Sequence, residues 1–160
     1  MEYTEHRDAE LMAAYEEADG RTGADFRAMR ERIGWSQNEA EAAMGVKDGT
    51  IKRWENPNSG WEVRPYGWAW IDRMHDAFWR EVDALTDLAA ARIAERGIAK
   101  GDVVRISYYR NGKPDTGRAK TRHGEPAGAA DAVSRMVGEY FEGEGYKVRY
   151  VWAEEGGWVI

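Results

Sequence analysis

Apolar residues recur every three to four positions along the first two thirds of the chain, a period typical of helices. Residues 7–18 are predicted to form a short acidic helix. A second helix begins after Thr22, where Asp25 three residues on completes an N-terminal capping pair. Its apolar positions keep helical spacing until Gly34, which ends the helix.

Two shorter helices are predicted next. Ser36 begins the first with a capping box, and Gly45 breaks it after about two turns. Residues 47–55 form the second, in which the spacing of Ile51 and Trp54 directs both side chains inward.

A long apolar stripe predicts a helix over residues 65–96, ended by Gly97. A pattern of this length is typical of a bent helix, two abutting helices or the seam of a helical dimer. The stripe consists of Trp68, Ile71, His75, Phe78, Val82, Leu85, Ala89 and Ile93. The tryptophans expected to pack beneath helix 47–55 are Trp61, Trp68 and Trp70.

The last third changes character, because alternating β-branched and aromatic residues predict strands at 103–109 and 146–152. An amphipathic helix over 127–141 lies between them, which favours parallel strands joined by a right-handed crossover. The fold class is therefore α+β, with an all-helical N-terminal part, a long connecting helix and a small β-α-β domain. The predicted boundaries are an acidic helix at 1–20, a helical domain with the connecting helix at 21–97, and an α/β domain at 98–160.

Composition narrows the possible chemistry. The 160 residues are 42% apolar and include no cysteine, which excludes disulfides, thiolate nucleophiles and cysteine-based zinc sites. The three histidines lie far apart, so we expect no metal site and no cofactor. Since the sequence offers no membrane span or signal peptide, we expect a cytoplasmic protein without membrane contact.

The net charge of −6 is unevenly distributed. Residues 1–21 carry seven acids and two bases, a net of −5, whereas residues 22–75 carry eight of each. Residues 76–160 carry fourteen acids and thirteen bases, a net of −1. The acidic total therefore does not exclude a binding face for nucleic acid.

Two short helices joined by a glycine turn present the second helix's first turn outward, at a width that fits a DNA major groove. Side chains that face away from the predicted core could read base edges, and these are Asp48, Lys52 and Arg53; Gly49, on the same side, permits close approach of the backbone. Gln37, Thr50 and Asn56, at helix starts and ends, could contact phosphate. Lys47 adds positive charge beside them.

The segment from Phe26 to Asn56 resembles the helix-turn-helix of phage-repressor-like transcriptional regulators of the XRE/Cro type. The resemblance rests on a Ser-Gln pair that opens the second helix, on Gly45 eight residues after Gln37, and on the closing Trp-Glu-Asn. Glu41 departs from the family, which prefers alanine where the two helices approach closest. This departure implies either a wider crossing or a Glu41 side chain that tilts outward to pair with Lys52 or Arg53.

The order of a helix-turn-helix, a long helix and a strand-helix-strand unit is similar to that of anti-CRISPR-associated and related phage or chromosomal regulators. The resemblance implies a homodimeric repressor that binds double-stranded DNA at an inverted-repeat operator. We expect dimers to form through residues 98–160, because apolar surface there and on the long helix exceeds what one chain can bury. The residues concerned are Tyr108, Tyr109, Tyr150, Trp152, Phe78, Val82, Leu85 and Ile93.

Other interpretations remain open. The chain could be an ordinary helical domain with solvated charges, or an antitoxin-like module whose C-terminal domain binds a partner protein. The basic loop 110–122, with five bases and one acid, could hold phosphates or merely solubilise the surface. Asp115 with Glu144 and Lys147 faintly resembles a metal-dependent nuclease, but the spacing is wrong, and we expect no enzyme activity.

Overall fold

The computed structural model describes Ala9, residues 20–111 and residues 117–160. The predicted helix 7–18 and part of the basic loop therefore lie outside the described residues, except for Ala9. The elements follow in the order α1 (Gly23–Arg32), α2 (Gln37–Met44), α3 (Thr50–Glu55), α4 (Pro65–Glu95), β1 (Val103–Tyr108), α5 (Ala127–Gly143) and β2 (Lys147–Trp152), with a short 3-10 helix at Ala153–Glu155.

The chain divides into two compact units, Met1–Ala77 and Phe78–Ile160. The division falls inside α4, whereas the sequence pattern placed the domain boundary after residue 97. α4 is one helix of 31 residues, and not two abutting helices.

Aromatic rings form much of the core of the first unit. Phe26 packs edge-on against both Trp54 and Trp68, with ring centroids 5.6 and 5.7 Å apart. Gly67 lies against the Trp54 ring, where an added Cβ would come within 2.8 Å of a ring carbon. Trp68 and Trp70 are buried as predicted, but Trp61 is 50% exposed. The prediction for Trp61 is wrong because this residue lies in the loop between α3 and α4.

The second unit contains a two-stranded parallel sheet, as predicted. Val104 opposes Val148 in the register, and both side chains are buried. The opposite edge of β1 is also hydrogen-bonded, because the Val159 amide donates to the Arg105 carbonyl and the Ser107 amide donates to the Ile160 carbonyl. Helix α5 contacts both strands.

Small residues on α5 allow close contact with the sheet. An added Cβ at Gly138 would come within 2.3 Å of the Tyr150 hydroxyl, so the ring of Tyr150 can lie there only because position 138 is glycine. Arg135 donates to the Tyr108 hydroxyl at 2.6 Å from the same helix. These contacts leave Tyr150 and Trp152 42% and 45% exposed.

The apolar stripe on the second half of α4 is covered within a single chain. Phe78, Val82, Leu85 and Ile93 are at most 9% exposed, and Tyr109 is 7% exposed. The expectation that these residues need a partner subunit for burial is therefore wrong, and the stripe is no dimer seam. The stripe was misread because sequence alone does not reveal how much of a helix the rest of its own chain covers.

A buried polar cluster joins β1, α5 and the loop before α5. Arg122 donates to the hydroxyls of Ser107 and Ser134, at 3.1 Å each, and both serines are fully buried. Asp131, itself 6% exposed, accepts a hydrogen bond of 2.7 Å from the Tyr109 amide. Burial raises the pKa of Asp131 to about 6, although the Tyr109 amide and the nearby Arg135 and Arg122 oppose the shift.

Within the described part of the chain, no helix combines the length and the apolar character that crossing a membrane requires.

Candidate nucleic-acid interface

Two glycines shape the turn between α2 and α3. Gly45 follows α2 with φ of 70°, and Gly49 precedes α3 with φ of 86°. Side chains with a Cβ rarely adopt this left-handed conformation, so both positions favour glycine. At the start of α2, the predicted capping box is confirmed, since the Ser36 hydroxyl accepts from the Glu39 amide and the Glu39 carboxylate accepts from the Ser36 amide.

A buried ion pair joins α1 to the end of α3. The Nε and Nη2 atoms of Arg30 both donate hydrogen bonds to the Glu55 carboxylate. The side chains of Arg30 and Glu55 are only 8% and 3% exposed. A third group of the same guanidinium donates to the Trp35 carbonyl at 2.8 Å. Bidentate geometry fixes orientation as well as distance, so this pair determines how α3 lies against α1.

Gln37 is held by the same pair. Its side-chain amide donates to Glu55 at 3.1 Å, which leaves one amide hydrogen and the amide oxygen for another partner. The contact of Gln37 with phosphate therefore stays a prediction. The Arg30–Glu55 pair sets the orientation of the Gln37 side chain.

Glu41 does not tilt outward, contrary to one of the two expectations. The residue is 1% exposed, and its carboxylate accepts a hydrogen bond of 2.8 Å from the Thr50 amide at the start of α3. Gly49, the residue before α3, has no side chain that could cap the helix. A carboxylate from α2 therefore supplies the missing cap, and its charge suits a helix N-terminus.

Five of the eight residues predicted to meet DNA are exposed, and the other three, among them Gln37, are partly buried. Ile51 and Trp54 are buried, as predicted, at 0% and 2% exposure. Gly49 and Thr50 are partly buried, and the exposed members of the predicted set are Lys47, Asp48, Lys52, Arg53 and Asn56. Lys47 and Asp48 thus lie just before α3, and the exposed cations Lys52 and Arg53 lie on it.

Arg53 has a neighbour that the sequence did not suggest. Its guanidinium lies 5.4 Å from the ring centre of the half-exposed Trp61. The Ser59 hydroxyl donates to carbonyls of Arg53 and Asn56 and accepts from the Trp61 amide, so the loop is tied to the end of α3. A cation held over an aromatic face keeps its hydrogen-bonding edge free.

The comparisons with known proteins support the assignment of this segment. A family model described as helix-turn-helix matches residues 26–56, which cover most of α1 and all of α2 and α3. Residues 26–56 are a helix-turn-helix domain. Such domains occur in DNA-binding regulators, so the match supports a DNA-binding regulator. No curated protein and no solved structure matches the chain.

The residues of the discarded nuclease pattern serve other roles where they are described. Glu144 follows α5 and lies 3.9 Å from the Lys100 ammonium, and Lys147 is the first residue of β2. Asp115 lies outside the described residues. No group of three or more histidine, aspartate or glutamate residues in the described part of the chain could hold a metal ion.

Two residues that organise the helix-turn-helix domain were missed from sequence, Arg30 and Glu55. A signal was present, because Arg30 shares the helical face of Phe26 and Ile33 and a cation in an apolar face requires a buried anion. The partner of Arg30 could not be identified from sequence, because several carboxylates in the chain could serve as that anion.

Proposed function

We propose that the chain is a sequence-specific transcriptional regulator, a homodimeric repressor that binds an inverted-repeat operator through α3 in the major groove. The observation that supports this most strongly is the helix-turn-helix domain, in which Ile51 and Trp54 are buried while Lys52 and Arg53 face solvent. Arginine can bond the edge of guanine bidentately, and aspartate can accept from cytosine. Arg53 and Asp48 are the proposed base-reading residues.

Phosphate contacts are assigned to residues that border the base-reading side chains. Gln37, Thr50 and Asn56 lie at ends of α2 and α3, and Lys47 and Lys52 add positive charge. Such contacts fix the position of α3 on the duplex without reading its sequence. Because the Thr50 amide is already bonded to Glu41, its hydroxyl is the group proposed to reach phosphate.

Dimerisation is proposed through the Phe78–Ile160 unit. A single helix-turn-helix reads too few base pairs for useful specificity, and such domains commonly bind paired half-sites about one helical turn apart. With the α4 stripe buried, the described large apolar residues of this unit that stay exposed are Leu88, Val103, Tyr140, Tyr150 and Trp152, each at least 40% exposed. The similarity in element order to anti-CRISPR-associated regulators agrees with this arrangement and extends the proposal to that subfamily.

The test begins with duplexes selected by the full chain from a random pool. We expect a two-fold symmetric consensus, tight binding to it and weaker binding to a scrambled duplex. Sedimentation of the free chain should show a dimer, and Trp152→Ala with Tyr150→Ala should shift it toward monomer. Selection without enrichment of any sequence would contradict the proposal, and an asymmetric consensus bound by a monomer would remove its dimeric part.

A further inference from the structure

The outer face of the sheet in the Phe78–Ile160 unit carries an unpaired cluster of cations. Residues opposite each other in a parallel ladder share a face, and Arg105 is paired in register with Arg149. Lys147 lies two residues before Arg149, on the same face. All three side chains are exposed, so one face of a small sheet carries three positive charges.

This arrangement is unfavourable unless an anion compensates it. Like charges directly opposite each other destabilise a strand pair, and neighbouring strands lie only about 4.8 Å apart. Among the residues that the structure describes, no carboxylate forms an ion pair with Arg105, Lys147 or Arg149. Arg149 donates one hydrogen bond, to the Val148 carbonyl at 2.8 Å, which leaves most of its donors free.

The chemistry of this face selects the kind of anion. The aromatic residues Tyr150 and Trp152 alternate with the cations along β2 and therefore lie on the opposite face. In the two described strands, the exposed rings thus lie away from the cationic face, whereas single-strand binding stacks bases on such rings. Its long cations, roughly 6.6 Å apart along β2 at 3.3 Å per residue, suit a row of phosphates on a duplex.

We propose that Arg105, Lys147 and Arg149 form a second, sequence-independent contact with the phosphate backbone of double-stranded DNA. The inference rests on the proposed DNA-binding function and adds a surface outside the helix-turn-helix domain. It is separate from the loop 110–122, in which Arg110 pairs with Glu154 and Arg122 is bonded to two buried serines. The cationic face increases affinity for any duplex, while α3 supplies the preference for one sequence.

The experiment measures duplex affinity of the full chain over a range of salt concentrations. In the double variant Arg105→Gln with Arg149→Gln, we expect the slope of log affinity against log salt to fall by about 2, because each phosphate contact contributes about 0.9. The loss should be equal for the selected and the scrambled duplex. The double variant Arg105→Lys with Arg149→Lys keeps both charges and should therefore show the wild-type slope.

A matched control removes two exposed cations elsewhere in the same unit, by Arg80→Gln with Lys100→Gln. This control should keep the wild-type slope, and thermal unfolding of each variant verifies that it is folded. An unchanged slope in the Arg105/Arg149 variant would overturn the inference and leave Arg149 the role of protecting the edge of β2 that faces away from β1. An equal fall in the control would also overturn it, since net charge would then explain the effect.

The outcome separates this inference from the proposed function. If the wild type binds its selected duplex in preference to the scrambled one while the Arg105/Arg149 variant keeps its slope, only the second contact is wrong. If the wild type binds no duplex, both are wrong.

Discussion

The two units of the chain differ in how they balance a buried charge. In the Met1–Ala77 unit, the buried Arg30 forms an ion pair with Glu55, while the buried Glu41 accepts the first amide of α3. In the Phe78–Ile160 unit, the buried Asp131 accepts a backbone amide and forms no ion pair with a described residue. On the outer face of its sheet, the exposed Arg105, Lys147 and Arg149 form no ion pair with any carboxylate in the described part of the chain.

The difference indicates what each unit does with charge. Burying a charge costs desolvation, and the ion pair that offsets this cost fixes a defined geometry; the proposed reading of DNA requires such geometry, because it depends on the angle at which α3 lies. Asp131, whose pKa is raised by burial, instead makes stability depend on pH. Unpaired exposed cations remain available to an external anion.

The largest expected effect tests the buried pair. Arg30→Ala leaves the buried Glu55 carboxylate without its ion pair, with the Gln37 amide still donating to it, and should lower the free energy of unfolding by about 3–5 kcal/mol. Urea unfolding measures this loss. Arg27→Ala is the matched control, because Arg27 lies on the same helix and pairs with Glu31 in full solvent. The control should be indistinguishable from wild type; similar losses in both variants would show that burial of the Arg30 pair adds nothing.

The next effect concerns Asp131 and pH. The pKa of this carboxyl is about 6 in the folded chain against 3.8 as its ordinary value. Between these values the folded chain holds a proton that the unfolded chain has lost, so the stabilisation is complete below pH 4 and disappears as pH rises through 6. At about 1.36 kcal/mol for each unit of pKa, the change amounts to at most about 3 kcal/mol.

Asp131→Asn removes this dependence while keeping an acceptor for the Tyr109 amide. Relative to wild type, the variant should therefore gain stability as pH rises from 4 to 7, which urea unfolding at several pH values can measure. In the control Asp87→Asn, at an exposed position of α4, the free energy of unfolding should change with pH as it does in wild type. A parallel profile for Asp131→Asn as well would mean that Asp131 titrates normally.

The smallest effect concerns the cap that α2 supplies to α3. Glu41→Ala leaves the Thr50 amide without its carboxylate partner, and loss of a helix cap costs about 0.5–2 kcal/mol. Glu41→Gln keeps an acceptor oxygen and should lose less than half as much in urea unfolding. Equal losses for the two variants would show that the hydrogen bond does not matter and that only the carboxylate's charge does.

The elements of the fold could be predicted from sequence because their signals are local. Ser36 with Glu39 caps α2, Gly45 ends it, and alternation along residues 103–109 identified the first strand, which the structure bounds at Val103–Tyr108. Parallel pairing followed from the length of the connection between the strands. The match to residues 26–56 agrees with the helix-turn-helix resemblance.

What could not be predicted depends on contacts between distant residues. The partner of Arg30 and the inward turn of Glu41 depend on how closely α1, α2 and α3 approach, which no spacing encodes. The exposure of Trp61 depends on the course of a loop. The second half of the α4 stripe seemed to be surplus apolar surface, because nothing in the sequence shows that the same chain covers Phe78 and Leu85.

The central claim is that α3 reads DNA sequence through Arg53, and binding by two variants tests it most directly. Arg53→Ala should weaken binding to the selected duplex by about 1–3 kcal/mol and relax the preference at one base pair, while affecting the scrambled duplex less. Lys52→Ala, proposed to contact phosphate, should weaken both duplexes equally. If Arg53→Ala instead costs the same on both duplexes, Arg53 contacts only the backbone, and the proposed reading of sequence by α3 is contradicted.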